Sequence, residues 1–169
     1  YEAALRSVTF SNSSDAPSTA NRTISFTTSD AHLTSTTATR TIAIVATNDA
    51  PTGLPTITGL VREDQTLTAN TSAINDADGL GTFSYQWLRD GADIVGATAS
   101  TYTTGDADVD GQLSVRIRYT DALGTQETVT SAQTVAVQNV NDAPTGLPLI
   151  TGTATEDQTL TADISTLAD

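Results

Sequence analysis

A segment of this chain recurs 93 residues further along, and this repeat limits the possible folds more than any other feature. The sequence NDAPTGLP stands at residues 48–55 and again at residues 141–148. When residues 48–76 are aligned with residues 141–169, 20 of the 29 positions are identical. Similar segments at a fixed spacing indicate an array of similar structural units. We therefore expect the end of one unit, one complete unit and the start of a third.

Within the complete unit, apolar and polar residues alternate. Every second residue is apolar in residues 83–87 and 113–119, and Val135 and Val137 continue the pattern. A period of two is typical of half-buried strands, whereas a helix would show a period of 3.6 residues. The 34 Thr residues also favour strands, because their side chains are β-branched. We predict an all-β chain with Trp87 in its core. The residues expected to face solvent are Ser114, Arg116 and Arg118.

A unit of this size, built from short alternating strands, fits an immunoglobulin-type (Ig-like) Greek-key β-sandwich. We assign residues 51–142 to one complete sandwich. Residues 1–50 are predicted to supply the last three strands, E to G, of a preceding sandwich, and the first of these begins near Val8. Residues 143–169 are predicted to supply the opening strands of the next. The predicted strands of the complete unit are A (56–61), B (65–70), C (82–88), D (94–95), E (100–103), F (112–120) and G (127–138).

Acidic residues gather at both ends of the predicted complete unit. The chain has 16 Asp, 4 Glu, 7 Arg and no Lys, which gives a net charge of −13. Clustered carboxylates repel one another unless a cation joins them. Ca²⁺ binds six to eight oxygens from carboxylates, amides and backbone carbonyls. We therefore predict that Ca²⁺ is a cofactor, although Asp is also common in turns for its local hydrogen bonds alone. The predicted metal ligands are Asn48, Asp49, Asp76, Asp78 and Asp121 at one end, and Glu63, Asp108, Asp110, Asn141 and Asp142 at the other.

One loop among these acids matches half of a known calcium-binding motif. Asp106, Asp108 and Asp110 precede Gly111 in the pattern of an EF-hand loop. The last ligand position of that motif falls on Ile117, and strands rather than helices flank the loop. We interpret it as a turn that lends a ligand to the linker at residues 141–142. In the third unit, Asp169 takes the place of Asp76.

The composition argues against several other functions. Without Cys or Lys the chain has no disulfides, thiolate zinc sites or Schiff-base lysine. Its single His, His32, stands in a Thr-rich turn and leaves little material for a catalytic triad, so we predict no enzymatic activity. A strongly negative surface repels phosphate backbones and anionic lipids, so we expect neither nucleic acid nor membrane surfaces as partners. No apolar run approaches 18 residues, and we expect no membrane insertion in this segment.

The sequence also resembles known repeat domains. Asn48-Asp49-Ala50-Pro51, the later Glu63 and the segment 75–79 (NDADG) resemble bacterial cadherin-like domains. Residues 85–121 resemble the Ig-like repeats of very large bacterial surface adhesins, of the RTX type and associated with biofilms. Residues 1–50 resemble the end of another cadherin-like repeat. The resemblance implies extracellular stalk repeats whose linkers are stiffened by Ca²⁺. The sequence differs from cadherin linkers at Ala46 and Asn139, where those linkers carry a further Asp.

The function expected from these features is that of a structural spacer in a secreted or surface-attached bacterial adhesin, with a role in cell adhesion and biofilms. The expected partners are calcium, neighbouring repeats of the same chain, and polysaccharide or the surface of other cells. One alternative is a carbohydrate- or protein-binding β-sandwich module. A second is a filament-forming extracellular repeat protein, in which head-to-tail self-association completes the partial sandwiches.

Overall fold

The computed structural model describes residues 8–30 and 32–168, which form an all-β structure. The prediction of an all-β chain is therefore confirmed. This part of the chain has no helix long and apolar enough to cross a membrane. A single short 3₁₀ helix, Asp106–Asp108, was assigned in it. The strands are β1 Arg22–Phe26, β2 Ala38–Ile42, β3 Thr56–Thr58, β4 Thr66–Asn70, β5 Ser84–Arg89, β6 Ala92–Asp93, β7 Thr101–Thr103, β8 Leu113–Thr120, β9 Gln126–Thr130, β10 Leu149–Thr151 and β11 Thr161–Asp163.

Two antiparallel sheets make up the central part of the chain. One has three strands in the order β3-β4-β7, and the other has four in the order β6-β5-β8-β9. The predicted strand D is replaced by β6, which pairs with β5 in the four-stranded sheet. Beyond β9 the chain turns back to the first sheet, where Gln138 forms a parallel bridge with Arg62. This arrangement is consistent with a β-sandwich.

The apolar core is formed by inward-facing residues of both sheets. Leu67 comes from the three-stranded sheet, and Trp87, Val115 and Ile117 come from the four-stranded sheet; all four are fully buried. The Trp87 indole N–H donates a hydrogen bond to the Ala99 carbonyl at 3.0 Å. Its ring also stacks on Tyr102, with 5.6 Å between the ring centroids. The predicted core position of Trp87 is therefore confirmed.

Two expectations about side-chain direction are wrong. Ser114 is buried, because it lies opposite Leu88 in a pair that is covered on the outer face of the sheet. Val135 is 69% exposed although Val137 is buried. Ser131 and Thr134 donate their N–H groups to carbonyls only two residues apart on β8. One extra residue is thus inserted after β9, and such a bulge interrupts the alternation on which the prediction depended.

The flanking segments contain two shorter sheets. Strands β1 and β2 form an antiparallel hairpin, whereas residues 8–20 contain no strand, so the described part of the first segment has two strands instead of the predicted three. Strands β10 and β11 form a second hairpin, in which Ile150 lies opposite Ala162. The equivalent pair in β3 and β4 is Ile57 and Ala69. The repeat in the sequence is therefore also a repeat in strand register.

A glycine fixes the start of each repeated hairpin. Gly53 has a positive φ of 74°, and a Cβ atom there would lie 1.9 Å from the Ala73 carbonyl oxygen. Gly146, at the repeated position, has a φ of 86° and the same 1.9 Å approach to Thr166. Only glycine fits such a close backbone approach in the left-handed region. The backbone bridge next to Gly53 holds the linker before β3 against the loop after β4.

Candidate metal centres at the two linkers

Three carboxylates converge behind the central unit. Glu63 lies in the turn between β3 and β4, Asp106 begins the 3₁₀ helix, and Asp142 lies in the downstream linker, which we define as residues 141–144. One carboxylate oxygen from each residue lies within 4.8 Å of the other two. Glu63 is buried and the other two acids are exposed. This group, which we call the downstream acid group, can hold a metal ion.

Glu63 connects the body of the unit to the downstream linker. Its backbone N–H donates to the Gln138 carbonyl at 2.9 Å, and its Oε2 accepts the Val140 N–H at 2.9 Å. The Val140 N–H lowers the pKa of Glu63, but burial and the two neighbouring carboxyl groups outweigh it and raise the pKa above its usual value. Close negative charges thus disfavour the ionised group, and a bound cation would remove this penalty.

Further oxygen ligands surround the downstream acid group. Glu63, Asp106, Val109 and residues 139–142 line an open cavity of about 350 Å³. The Asn141 side chain donates through Nδ2 to the Asp142 carbonyl at 2.9 Å, which leaves its amide oxygen free of that contact. Carboxylate, amide and carbonyl oxygens are therefore available from the unit and from the linker behind it.

The structure does not bring Asp108 or Asp110 into this group. Asp108 is buried and faces the opposite way, where Oδ1 accepts hydrogen bonds from Arg89 Nε at 2.7 Å and Nη2 at 2.6 Å. Its Oδ2 accepts the Tyr102 hydroxyl at 2.8 Å and the Gly105 N–H at 3.0 Å. Residues two apart in a 3₁₀ helix of three residues per turn point to different sides. Asp110 is exposed in the following turn, with a positive φ of 63°.

A second set of acids lies at the opposite end of the unit. Asp76 and Asp78 lie in the loop between β4 and β5, and Asp121 follows β8; all three are buried. The Asp76 carboxylate accepts the Tyr119 hydroxyl at 2.6 Å and the Asp78 N–H at 2.9 Å. Asp78 Oδ2 accepts the Asp49 N–H at 2.7 Å. These contacts connect the loop to the upstream linker, which we define as residues 48–51.

One oxygen at this upstream end has no hydrogen-bond partner. Asp121 Oδ1 accepts the Thr125 N–H at 2.8 Å, whereas the buried Oδ2 accepts no hydrogen bond. A buried charged oxygen without a partner is costly, and an unmodelled ion is one of the usual reasons for it. Asn48 turns its amide N–H towards Glu127, at 2.9 Å. Among the described residues, these acids do not form a second group as tight as the downstream one.

Sequence reasoning missed Asp15. Burial raises the pKa of the Asp49 carboxyl, and the negative charge of Asp15 raises it next, so these two acids lie close together. Asp15 precedes Asp30 by 15 residues, just as Asp106 precedes Asp121. Asp49 and Asp142 are equivalent in the 93-residue repeat. Asp15 therefore stands to the upstream linker as Asp106 stands to the downstream one, and this shared spacing is the signal that could have identified both.

The predicted ligand at Asp169 lies outside the described residues. Of the other predicted ligands, Glu63 and Asp142 belong to the downstream acid group, with Asn141 beside them. Asp49, Asp76 and Asp78 are joined by hydrogen bonds at the upstream end, where Asp121 also lies. A comparison of the chain with known protein families, curated proteins and solved structures gave no match.

Proposed function

We propose that this chain is a structural spacer of a secreted or surface-attached bacterial adhesin, in which Ca²⁺ stiffens the linkers between tandem β-sandwiches. One observation carries the proposal. The downstream acid group takes Glu63 and Asp106 from the body of the unit and Asp142 from the linker behind it. An ion bound there would hold the unit and its linker together, so the direction in which the next unit leaves would be fixed.

The strand order supports tandem Ig-like or cadherin-like Greek-key sandwiches. Strands β3, β4 and β7 take the places of strands A, B and E, and β5, β8 and β9 those of C, F and G. Consecutive strands β4 and β5 lie in different sheets, as a Greek-key crossing requires. With the repeated register of β10 and β11, this supports a complete domain at residues 51–142. Residues 1–50 and 143–169 then belong to its two neighbours.

The donor atoms favour Ca²⁺ over other metals. The chain has no Cys, and the acid groups at both linkers offer only oxygen. Hard oxygen ligands suit Ca²⁺ and Mg²⁺, and Mg²⁺ demands a nearly ideal octahedron that it usually completes with water. Ca²⁺ tolerates an irregular set of six to eight oxygens, including backbone carbonyls. A group assembled from two loops and a linker fits this tolerance better.

The exposure of the ligands supports an extracellular location. Asp106 and Asp142 are exposed, so water and salt weaken their attraction for a cation. Calcium sites of extracellular modules bind with Kd values of about 10⁻⁴ to 10⁻³ M, which suits the calcium concentrations outside cells. The residues that would hold the ion at the downstream linker are Glu63, Asp106, Asn141 and Asp142. At the upstream linker they are Asp15, Asp49, Asp76, Asp78 and Asp121.

The proposal is tested by calorimetric titration of the 169-residue chain with Ca²⁺. We expect the chain to bind Ca²⁺ and its thermal midpoint to rise with Ca²⁺ concentration, because the folded state binds the ion better than the unfolded state. The double variant Asp106→Asn/Asp142→Asn should lose binding at the downstream linker.

The matched control is Asp64→Asn. Asp64 is exposed and adjacent to Glu63, and its positive φ of 57° is one that Asn tolerates well. It removes one negative charge without touching the downstream acid group, so binding should be retained. If neither heat of binding nor a midpoint shift is seen between chelator and millimolar Ca²⁺, the calcium proposal fails.

A further inference from the structure

Tyr119 connects the core of the central unit to the acids at the upstream linker. It is buried near the end of β8, two residues before Asp121. Its ring packs edge-on against Phe83, with 5.5 Å between the centroids. Its hydroxyl donates to Asp76 Oδ2 at 2.6 Å. A short O–H···O⁻ bond of this kind is roughly twice as strong as one between neutral groups.

Asp76 is oriented from both sides. Oδ2 accepts the Tyr119 hydroxyl, and Oδ1 accepts the Asp78 N–H at 2.9 Å. Burial and the charge of Asp76 raise the pKa of Tyr119, so its hydroxyl keeps its proton and remains a donor. Each Asp76 oxygen has two acceptor positions, and these two contacts use one position on each. The carboxylate is thus fixed in direction while it can still bind a cation.

An independent observation indicates that a ligand belongs at this place. Asp121 is 7% exposed and its Oδ2 accepts no hydrogen bond. The charge of Asp121 acts on the Tyr119 hydroxyl together with that of Asp76, so all three side chains are neighbours. A cation would satisfy the free oxygen of Asp121 and reduce the repulsion between the two carboxylates.

We propose that Tyr119 is a positioning residue of the upstream cation site, where its hydroxyl holds the Asp76 carboxylate in the direction needed to bind Ca²⁺. This inference rests on the proposed function of the linkers. Groups that hydrogen-bond to metal ligands orient them, and their removal lowers metal affinity by about 10- to 100-fold. Without the hydroxyl, Asp76 would have to be ordered at the moment of binding.

The test is a calorimetric Ca²⁺ titration of the full chain in the Asp106→Asn/Asp142→Asn background, which removes the downstream acid group. Tyr119→Phe keeps the ring against Phe83 and removes only the hydroxyl. We expect it to weaken Ca²⁺ binding by about tenfold or more. The matched control is Tyr102→Phe, which removes a phenol–carboxylate hydrogen bond from Asp108 in the 3₁₀ helix. Both variants should lose stability in chelator, and only Tyr119→Phe should lose affinity.

A spectroscopic measurement keeps the test independent of the folding of Tyr119→Phe. Tb³⁺ replaces Ca²⁺ in oxygen sites, and its emission is excited through an aromatic ring close to it. In the same background, Tb³⁺ emission excited through tyrosine should persist in Tyr102→Phe and disappear in Tyr119→Phe. Bound Tb³⁺ without tyrosine-excited emission would place the ion away from Tyr119 and overturn the inference.

The remaining outcomes separate the inference from the proposed function. If the background chain binds no Ca²⁺, the proposed function fails at this linker and the inference fails with it. If it binds Ca²⁺ and Tyr119→Phe binds equally well, only the positioning role of Tyr119 is overturned. An equal loss of affinity in Tyr119→Phe and Tyr102→Phe would show a general effect of stability and would also overturn it.

Discussion

Asp106, Asp108 and Asp110 stand at alternate positions of one short loop, and the structure gives each a different environment. Asp106 faces the downstream linker, Asp108 is buried against Arg89, and Asp110 is exposed in a turn. Their spacing resembles half of an EF-hand loop, in which all three would bind one ion. The 3₁₀ helix sends neighbouring acids to different sides, and only one of the three reaches the linker.

These environments predict separate effects for two matched substitutions. Asp108→Asn weakens the contact with the Arg89 guanidinium, and we expect a loss of about 1–3 kcal/mol in the free energy of unfolding in chelator. Asp106→Asn should leave that free energy nearly unchanged and weaken Ca²⁺ binding instead, because Asp106 is exposed and belongs to the downstream acid group. Denaturant unfolding and calorimetry on both variants measure the two effects. The assignment is contradicted if Asp108→Asn abolishes binding without loss of stability.

The strand β5 shows which parts of the fold could be predicted from the sequence. Alternation identifies its inward face, and Trp87 is fully buried there as expected. Alternation says nothing about the outward face, where Leu88 and Ser114 form a covered pair. The extra residue after β9 is equally invisible to a period of two, because a bulge depends on the partner strand. The repeat located both linkers, whereas the direction of each acid depends on local turns.

Trp87 gives a direct test of the inward face of β5. Trp87→Ala should lower the free energy of unfolding by about 3–5 kcal/mol, because it leaves a large cavity between the two sheets. Trp87 is the single tryptophan of the chain, so unfolding is followed by circular dichroism rather than tryptophan fluorescence. Val95→Ala is the control, because Val95 is 99% exposed and should cost little. Similar midpoints for the two variants would contradict the core assignment.

At the scale of the whole molecule, the repeat defines where the chain can bend. Val140 is attached to the central unit through Glu63, and Thr145 is bridged to Ala168 in the following hairpin. The joint between these attached positions consists of residues 141–144. Pro144 restricts its predecessor to extended backbone, which shortens the flexible part further. Asp142 lies within the joint, so an ion bound to it would act on the remaining freedom directly.

The proposed stiffening can therefore be measured across this joint. The chain has no Cys, so pairs of introduced cysteines can be spin-labelled without removing native thiols. Thr128→Cys on β9 and Thr153→Cys beyond β10 are exposed positions on the two sides of the downstream linker. We expect the distribution of label distances to be broad in chelator and to narrow in millimolar Ca²⁺, because the ion joins Asp142 to Glu63 and Asp106.

The control pair, Val95→Cys with Thr128→Cys, lies within the central unit and should give the same distribution in both conditions. In the Asp106→Asn/Asp142→Asn variant, the labels across the linker should stay broadly distributed at every Ca²⁺ concentration. A linker distribution that is equally wide with and without Ca²⁺ in the unsubstituted chain would rule out stiffening even if the ion binds. Binding at the linkers would then serve only the stability of each unit, because a spacer needs its joints fixed as well as its domains.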